Sequence, residues 1–238
     1  MTIVPLNRAV HAGLRIDPAR AAESAAAVHL VPLVADEIRQ VASQFPVFLA
    51  KDGETGQFYA AALMGLEPQE NLFWNGASLE ADVLPLNLLR LPFFVFGDGP
   101  EAAIGIDEAS PAIAPEGPCA IVDAEGGETD YFRSVQAILG RLLQGRDATR
   151  QLVDLMLETR IVREIKLDMA FHDGSTSTLT GLYGVDEVAL GRARDRITAF
   201  DDLMILAAMA LSLDKVAALV RRKNARLDAQ SAWFAPGG

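Results

Sequence analysis

The sequence predicts an α+β chain, with antiparallel hairpins in its N-terminal and central parts packed against C-terminal helices. Three observations carry that expectation. Two apolar runs flank a Gly- and Asp-bearing turn at 52–56, an alternating run ends at Asp173-Gly174, and from Thr129 onward apolar residues recur at helical spacing. Half of the 238 residues are apolar and 22% are charged, a balance that suits a packed core and not a disordered chain. The expected organisation is a single domain over residues 1–228 followed by a flexible tail at 229–238.

Taken in order, Ile3 to Ile16 reads as a mixed segment containing an edge strand. His29 to Val34 is an edge strand or an extended loop, because Pro32 cannot donate to a ladder. Asp36 opens a helix with Ile38 and Val41 on one face, and Pro46 ends it. Val47–Lys51 and Gln57–Met64 form a hairpin around Asp52 to Gly56, since Gly and Asp tolerate the positive φ a tight turn needs. Asn71–Trp74 reads as a short strand, Leu79–Leu91 holds a helical turn, and Pro92 introduces the strand Phe93–Phe96.

The stretch from Gly97 to Gly127 is irregular, with strands at Ala103–Ile106 and Cys119–Val122, and reads as sheet edge plus surface loops. Thr129 is an N-cap for a helix through Leu143, which Gly145 is expected to break before a second helix opens at Asp147. Ile165, Leu167, Met169 and Phe171 alternate with polar residues as a half-buried strand paired with Ser177–Tyr183. Asp186 caps a short helix, and Ile197 to Leu227 is one long helix or two stacked at Ser212.

Charge and composition narrow the function classes. The net charge of −11, without a basic stripe, opposes nucleic-acid binding, because phosphate recognition needs clustered Lys and Arg. The longest apolar stretch, Leu203–Leu213, falls short of the roughly 20 residues a bilayer requires, so no membrane insertion is expected. The N-terminus lacks a basic segment followed by an apolar core, and Cys119 is the lone cysteine; both fit a cytoplasmic protein.

The chemistry inventory is sparse. Three His without ligand spacing predict no metal, and no cofactor fingerprint, phosphate loop or nucleophile elbow is present, so no catalytic residue is assigned. The aromatics Phe73, Trp74, Phe93, Phe94 and Phe96 cluster near Asn71 and Arg90. They are either hydrophobic core or the wall of a concave pocket in which one amide and one guanidinium orient a ligand. Arg90 is a lone cation in an apolar stretch, either reaching solvent or held for an anion. The ligand- or partner-binding candidates are therefore Asn71, Trp74, Arg90, His172, Tyr183 and, as part of a docking peptide, Trp233.

Read in order, several segments resemble the SapC family of bacterial proteins. These are VPLNRAVH from Val4, HLVPLVADE from His29, FPVFLAKD from Phe45, ALMGLEPQENLF from Ala62 and RLPFFVF from Arg90. The C-terminal half adds DGSTSTLTGLYGVDEVAL from Asp173 and SLDKVAALVRRK from Ser212. The family takes its name from a gene associated with bacterial surface layers. Its members often stand beside TonB-dependent receptors, cupin-like proteins and tryptophan-halogenase-like proteins, which implies a shared uptake or modification pathway. The resemblance carries over no catalytic residue. Where the family commonly has an arginine pair before Tyr-Pro, this chain has Leu89-Arg90-Leu91-Pro92. The leading expectation is a non-catalytic accessory protein with a protein partner. An enzyme with a small-molecule or peptide pocket and a cell-envelope component stand as alternatives.

Overall fold

The structure is a computed structural model that describes residues 2–97 and 101–234, with side chains through residue 232. The chain opens with β1 (Ile3–Pro5), α1 (Arg8–His11), β2 (Arg15–Ile16) and α2 (Pro18–Glu23). Asn7 and Asp17 cap the two helices through their side-chain oxygens, and Pro18 fills the first helical position, where no N–H is needed. The mixed segment expected at Ile3–Ile16 thus holds two short strands separated by α1.

Next come β3 (Leu30–Pro32), α3 (Ala35–Val41), β4 (Val47–Lys51), β5 (Phe58–Leu63) and the single-turn α4 (Leu86–Leu89). Helix α3 ends at Val41, so Pro46 precedes β4 and does not terminate the helix. Asp52 accepts from the Glu54 and Thr55 N–H groups, and Gly56 sits at φ +70, which closes the expected hairpin. Asn71–Trp74 is a turn and not a strand. Asn71 Oδ1 accepts from Phe73 N–H, and Trp74 makes only an isolated bridge to Leu79.

Strands β6 (Phe93–Phe96), β7 (Ala103–Asp107) and β8 (Cys119–Ala120) lead into α5, which runs unbroken over Asp130–Glu158. Thr129 caps it. Gly145, the expected breaker, lies within the helix for a steric reason. A Cβ there would come within 2.8 Å of Val34 Cβ, so its hydrogen lets α5 approach the end of β3. The hairpin of β9 (Val162–Ala170) and β10 (Thr176–Val185) turns at Gly174. Helix α6 (Glu187–Ala193) follows. Then α7 (Phe200–Ser212) joins α8 (Val216–Phe234) through a 3-10 turn at Leu213–Lys215. The tail expected to be flexible from residue 229 is helical through Phe234.

The strands form two main sheets with separate cores. A five-stranded antiparallel sheet has the order β3-β5-β4-β10-β9, and a three-stranded one the order β1-β7-β6; β2 and β8 form a short third ladder. The larger core takes Phe45, Phe48, Leu63, Met156, Leu206, Met209 and Leu219. The smaller takes Ile16, Phe93, Ile106, Phe132, Val135 and Leu139. Helix α5 connects them, with Phe132 to Leu139 in the small core and Leu152 to Met156 in the large one.

Helix α7 is rooted in the large core. Leu206 and Met209 are fully buried, and the Ser212 hydroxyl accepts from Val47 N–H. The continuous helical segment Phe200–Ala232 is also long and apolar enough by composition to cross a membrane, and a third of its most apolar window is buried. Phe200 and Leu211 face outward.

Candidate functional site

Where β3 ends against α5, a cleft of about 660 Å³ opens, within the range of small-ligand sites. One wall is the α5 face bearing Leu142, Arg146, Thr149, Arg150, Val153 and Leu157, residues whose spacing of three and four places them on one stripe. The opposite wall is Leu33, Val34 and the first residues of β5, and the far end is Asn87, Arg90, Phe94 and Val95.

Arg90 sits at the C-cap of α4 and is held from three sides. Its Nε donates to Asn87 Oδ1 at 2.7 Å, its Nη1 donates to the Phe93 carbonyl at 2.7 Å, and its guanidinium lies 4.0 Å over the Phe94 ring. Among the described residues no carboxylate meets it. Burial without a counter-charge depresses its pKa to about 10. Arg146 and Arg150 add positive charge along the α5 wall, where Asp154 is the acidic lining residue and Asp147 pairs with Arg150 at 3.3 Å. In a chain of net charge −11, three guanidinium groups thus line one cleft with apolar flanks.

Backbone supports hold the cleft open. Buried Glu37 accepts Val34 N–H at 3.1 Å on one oxygen and Leu86 N–H at 2.7 Å on the other, tying the start of α3 to the start of α4. Only half of a capping box exists here, since Val34 has no acceptor to return the bond. Thr149 Oγ1 fills that gap by accepting from Ala35 N–H while donating to the Gly145 carbonyl. Burial raises the Glu37 carboxyl above the usual range, and the donors Leu86 and Val34 only partly offset the rise. At the other wall, Tyr59 has its phenol raised by burial and by the Asp52 charge.

The other sequence candidates lie apart from Arg90. Asn71 does not line the cleft: it is 1% exposed, its Nδ2 donates to the Ala25 carbonyl, and the amide beside Arg90 is that of Asn87. Asn71 and Trp74 present their carbonyls to the Arg226 guanidinium on α8. His172 also meets α8, its N–H donating to Asn224 Oδ1 and its Nδ1 lying 3.1 Å from Asp228 Oδ2. Thus α8 gathers Asn71, Trp74 and His172 into one clamp. Lys223 completes the clamp between Glu67 at 2.9 Å and Glu70 at 2.8 Å. Burial pulls the Lys223 pKa down, but the two carboxylates outweigh it and hold it high.

Tyr183 stacks edge-to-face on Phe58, a residue of the cleft wall, at 4.9 Å. The Trp233 side chain lies outside the described residues. Asn87, Arg146, Arg150 and Glu37 escaped the sequence reading because each has an ordinary helical context; a polar residue three before Arg90 was the one local signal. Among the described residues no group of three or more His, Cys, Asp or Glu is placed to hold a metal.

Fold and site together define an α+β protein with two main cores and a ligand-sized, arginine-lined cleft between its large sheet and its longest helix. The SapC family model matches residues 6–219, and the chain belongs to the SapC family. No curated protein matches it. No solved structure matches it either.

Proposed function

We propose that the chain is a non-catalytic binding protein whose cleft takes an anionic, partly apolar ligand, with Arg90 meeting the negative charge. One observation carries this reading: a desolvated guanidinium, fixed by Asn87 and Phe93, without a carboxylate partner among the described residues. Arg90 is half-buried, and a charge partly removed from water without a counter-ion is costly, which supports a partner that arrives from outside. A binding role suits the lining, where three arginines stand beside apolar walls and the Thr149 hydroxyl is engaged at both its donor and its acceptor. The same reading places the protein in the cytoplasm, working with a protein partner in an uptake or modification pathway and without insertion into a membrane. The burial of Leu206 and Met209 favours the last point.

Calorimetric titration with benzoate, phenylacetate, hexanoate and phenyl phosphate tests the proposal. At least one acid should bind wild type and bind Arg90→Gln about tenfold or more weakly, the worth of a charge-assisted pair. The variant should keep its melting temperature, because losing two hydrogen bonds is offset by relief of desolvation. Binding that ignores the substitution would overturn the reading.

A further inference from the structure

The cleft contains an unfinished sheet edge, and this narrows the ligand class. Along β5 and the residue before it, Gln57 and Leu63 bond across to the β4 side, through Asp52 N–H to the Gln57 carbonyl and Leu63 N–H to the Pro46 carbonyl. The even-numbered residues therefore turn their backbone groups to the β3 side, as Leu33 N–H to the Ala60 carbonyl and Met64 N–H to the His29 carbonyl confirm. Strand β3 pairs only with residues 61–63, and Leu33 is its last contact, at Ala60. Two residues earlier, the N–H and C=O of Phe58 face the same side with β3 gone and no partner among the described residues. Phe58 lines the cleft.

The geometry points to an extended acidic peptide as the occupant, entering as a strand that continues the line of β3 and pairs its main chain with Phe58. Its acidic group, a side chain or a free C-terminal carboxylate, meets Arg90. Three features fit this occupant better than a compact acid. An open edge offers both a donor and an acceptor, which a peptide backbone satisfies and a simple carboxylate does not. The groove along α5 from Leu142 to Leu157 is about 22 Å long at 1.5 Å per helical residue. That length holds about seven residues of extended chain at 3.3 Å each, room for a hexapeptide. The apolar walls Val34, Val153 and Leu157, with arginines at intervals, suit alternate side chains of one strand.

This inference rests on the cleft being the binding site, and the test separates the two claims. The probes are fluorescent N-acetylated hexapeptides of Val, Thr and Leu carrying one Glu or a free C-terminal carboxylate, the same peptides amidated and with Glu replaced by Gln, and the small acids above. An acidic hexapeptide should bind more tightly than any small acid, and should lose about tenfold or more on amidation, on Glu-to-Gln exchange or against Arg90→Gln. N-methylation of one backbone nitrogen, the one that pairs with the Phe58 carbonyl, should weaken it about tenfold. Methylation of the two neighbouring nitrogens, which point away from β5, should leave affinity within about twofold. Uniform sensitivity to methylation, or none, overturns strand addition. If the small acids bind through Arg90 and no peptide does, the inference fails and the cleft reading stands; if neither binds, both fail.

Discussion

The clamp under α8 and the cleft beside α5 treat charge in opposite ways. Under α8 three cations meet anions or carbonyls: Lys223 two glutamates, Arg222 Glu80 at 3.0 Å, and Arg226 the carbonyls of Asn71 and Trp74. Beside α5, Arg90 has no carboxylate among the described residues, and the buried Glu37 carboxyl takes its hydrogen bonds from the backbone N–H groups of Val34 and Leu86. Matched charge fastens distant segments together; on the proposed reading, unmatched charge is retained for a ligand to complete. The clamp therefore reads as architecture and the cleft as function, and substitutions should separate stability from binding along that line.

The largest effect belongs to the root of the clamp. Leu206 has no exposed surface and sits among the large core, so Leu206→Ala should cost about 2–5 kcal/mol in urea unfolding. Ligand affinity of the folded variant should be unchanged. A loss below about 0.5 kcal/mol would mean that this helix face is not packed as described, and would revive a membrane role for a helix whose composition permits one.

Within the clamp itself, Lys223→Ala should cost about 1–3 kcal/mol, because it strands Glu70, whose side chain is only 14% exposed, without its cation. Binding to the cleft should again be untouched. If Lys223→Ala abolished ligand binding while leaving the melt in place, the division between the two regions would collapse.

How far these regions were legible from sequence depends on how local their signals are. The hairpin at Asp52–Gly56, the Thr129 cap and the joint at Ser212 rest on neighbouring residues, and each stands where the local pattern puts it. Arg90 was conspicuous as a cation among apolar neighbours. The rest depends on residues far apart in the chain. Lys223 and Glu67 are 156 positions apart, and no periodicity announces their meeting. Gly145 shows the limit most clearly. Its intrinsic helix cost predicts a break, yet the missing Cβ is what admits Val34, so tertiary packing overrides propensity. Asn71 was grouped with Arg90 because they are close in sequence, but the fold sends one to α8 and the other to α5.

The smallest effect lies in pH, at Glu37. Burial raises its folded carboxyl above the unfolded value, the hydrogen bonds from Leu86 and Val34 oppose the rise, Asp36 adds to it, and Arg141, itself paired with Asp36 at 3.0 Å, subtracts a little. A raised folded pKa means that the native state binds the proton more tightly than the unfolded chain does. The stabilisation from that proton is complete below the ordinary carboxylate range and is lost as pH rises through the folded value. Glu37→Gln cannot titrate, so the melting difference, wild type minus variant, isolates this group from other carboxylates such as Asp52, whose pKa is lowered. That difference should move in favour of wild type as pH falls from 7 toward the ordinary carboxylate range, and level off below it. Because Glu37 ties Val34 to Leu86 at the cleft, ligand affinity should follow the same pH window more in wild type than in the variant. A melting difference that moved the other way would mean that the two backbone donors outweigh burial. Glu37 would then be a matched anion, and Arg90 would remain the unmatched charge of the cleft half.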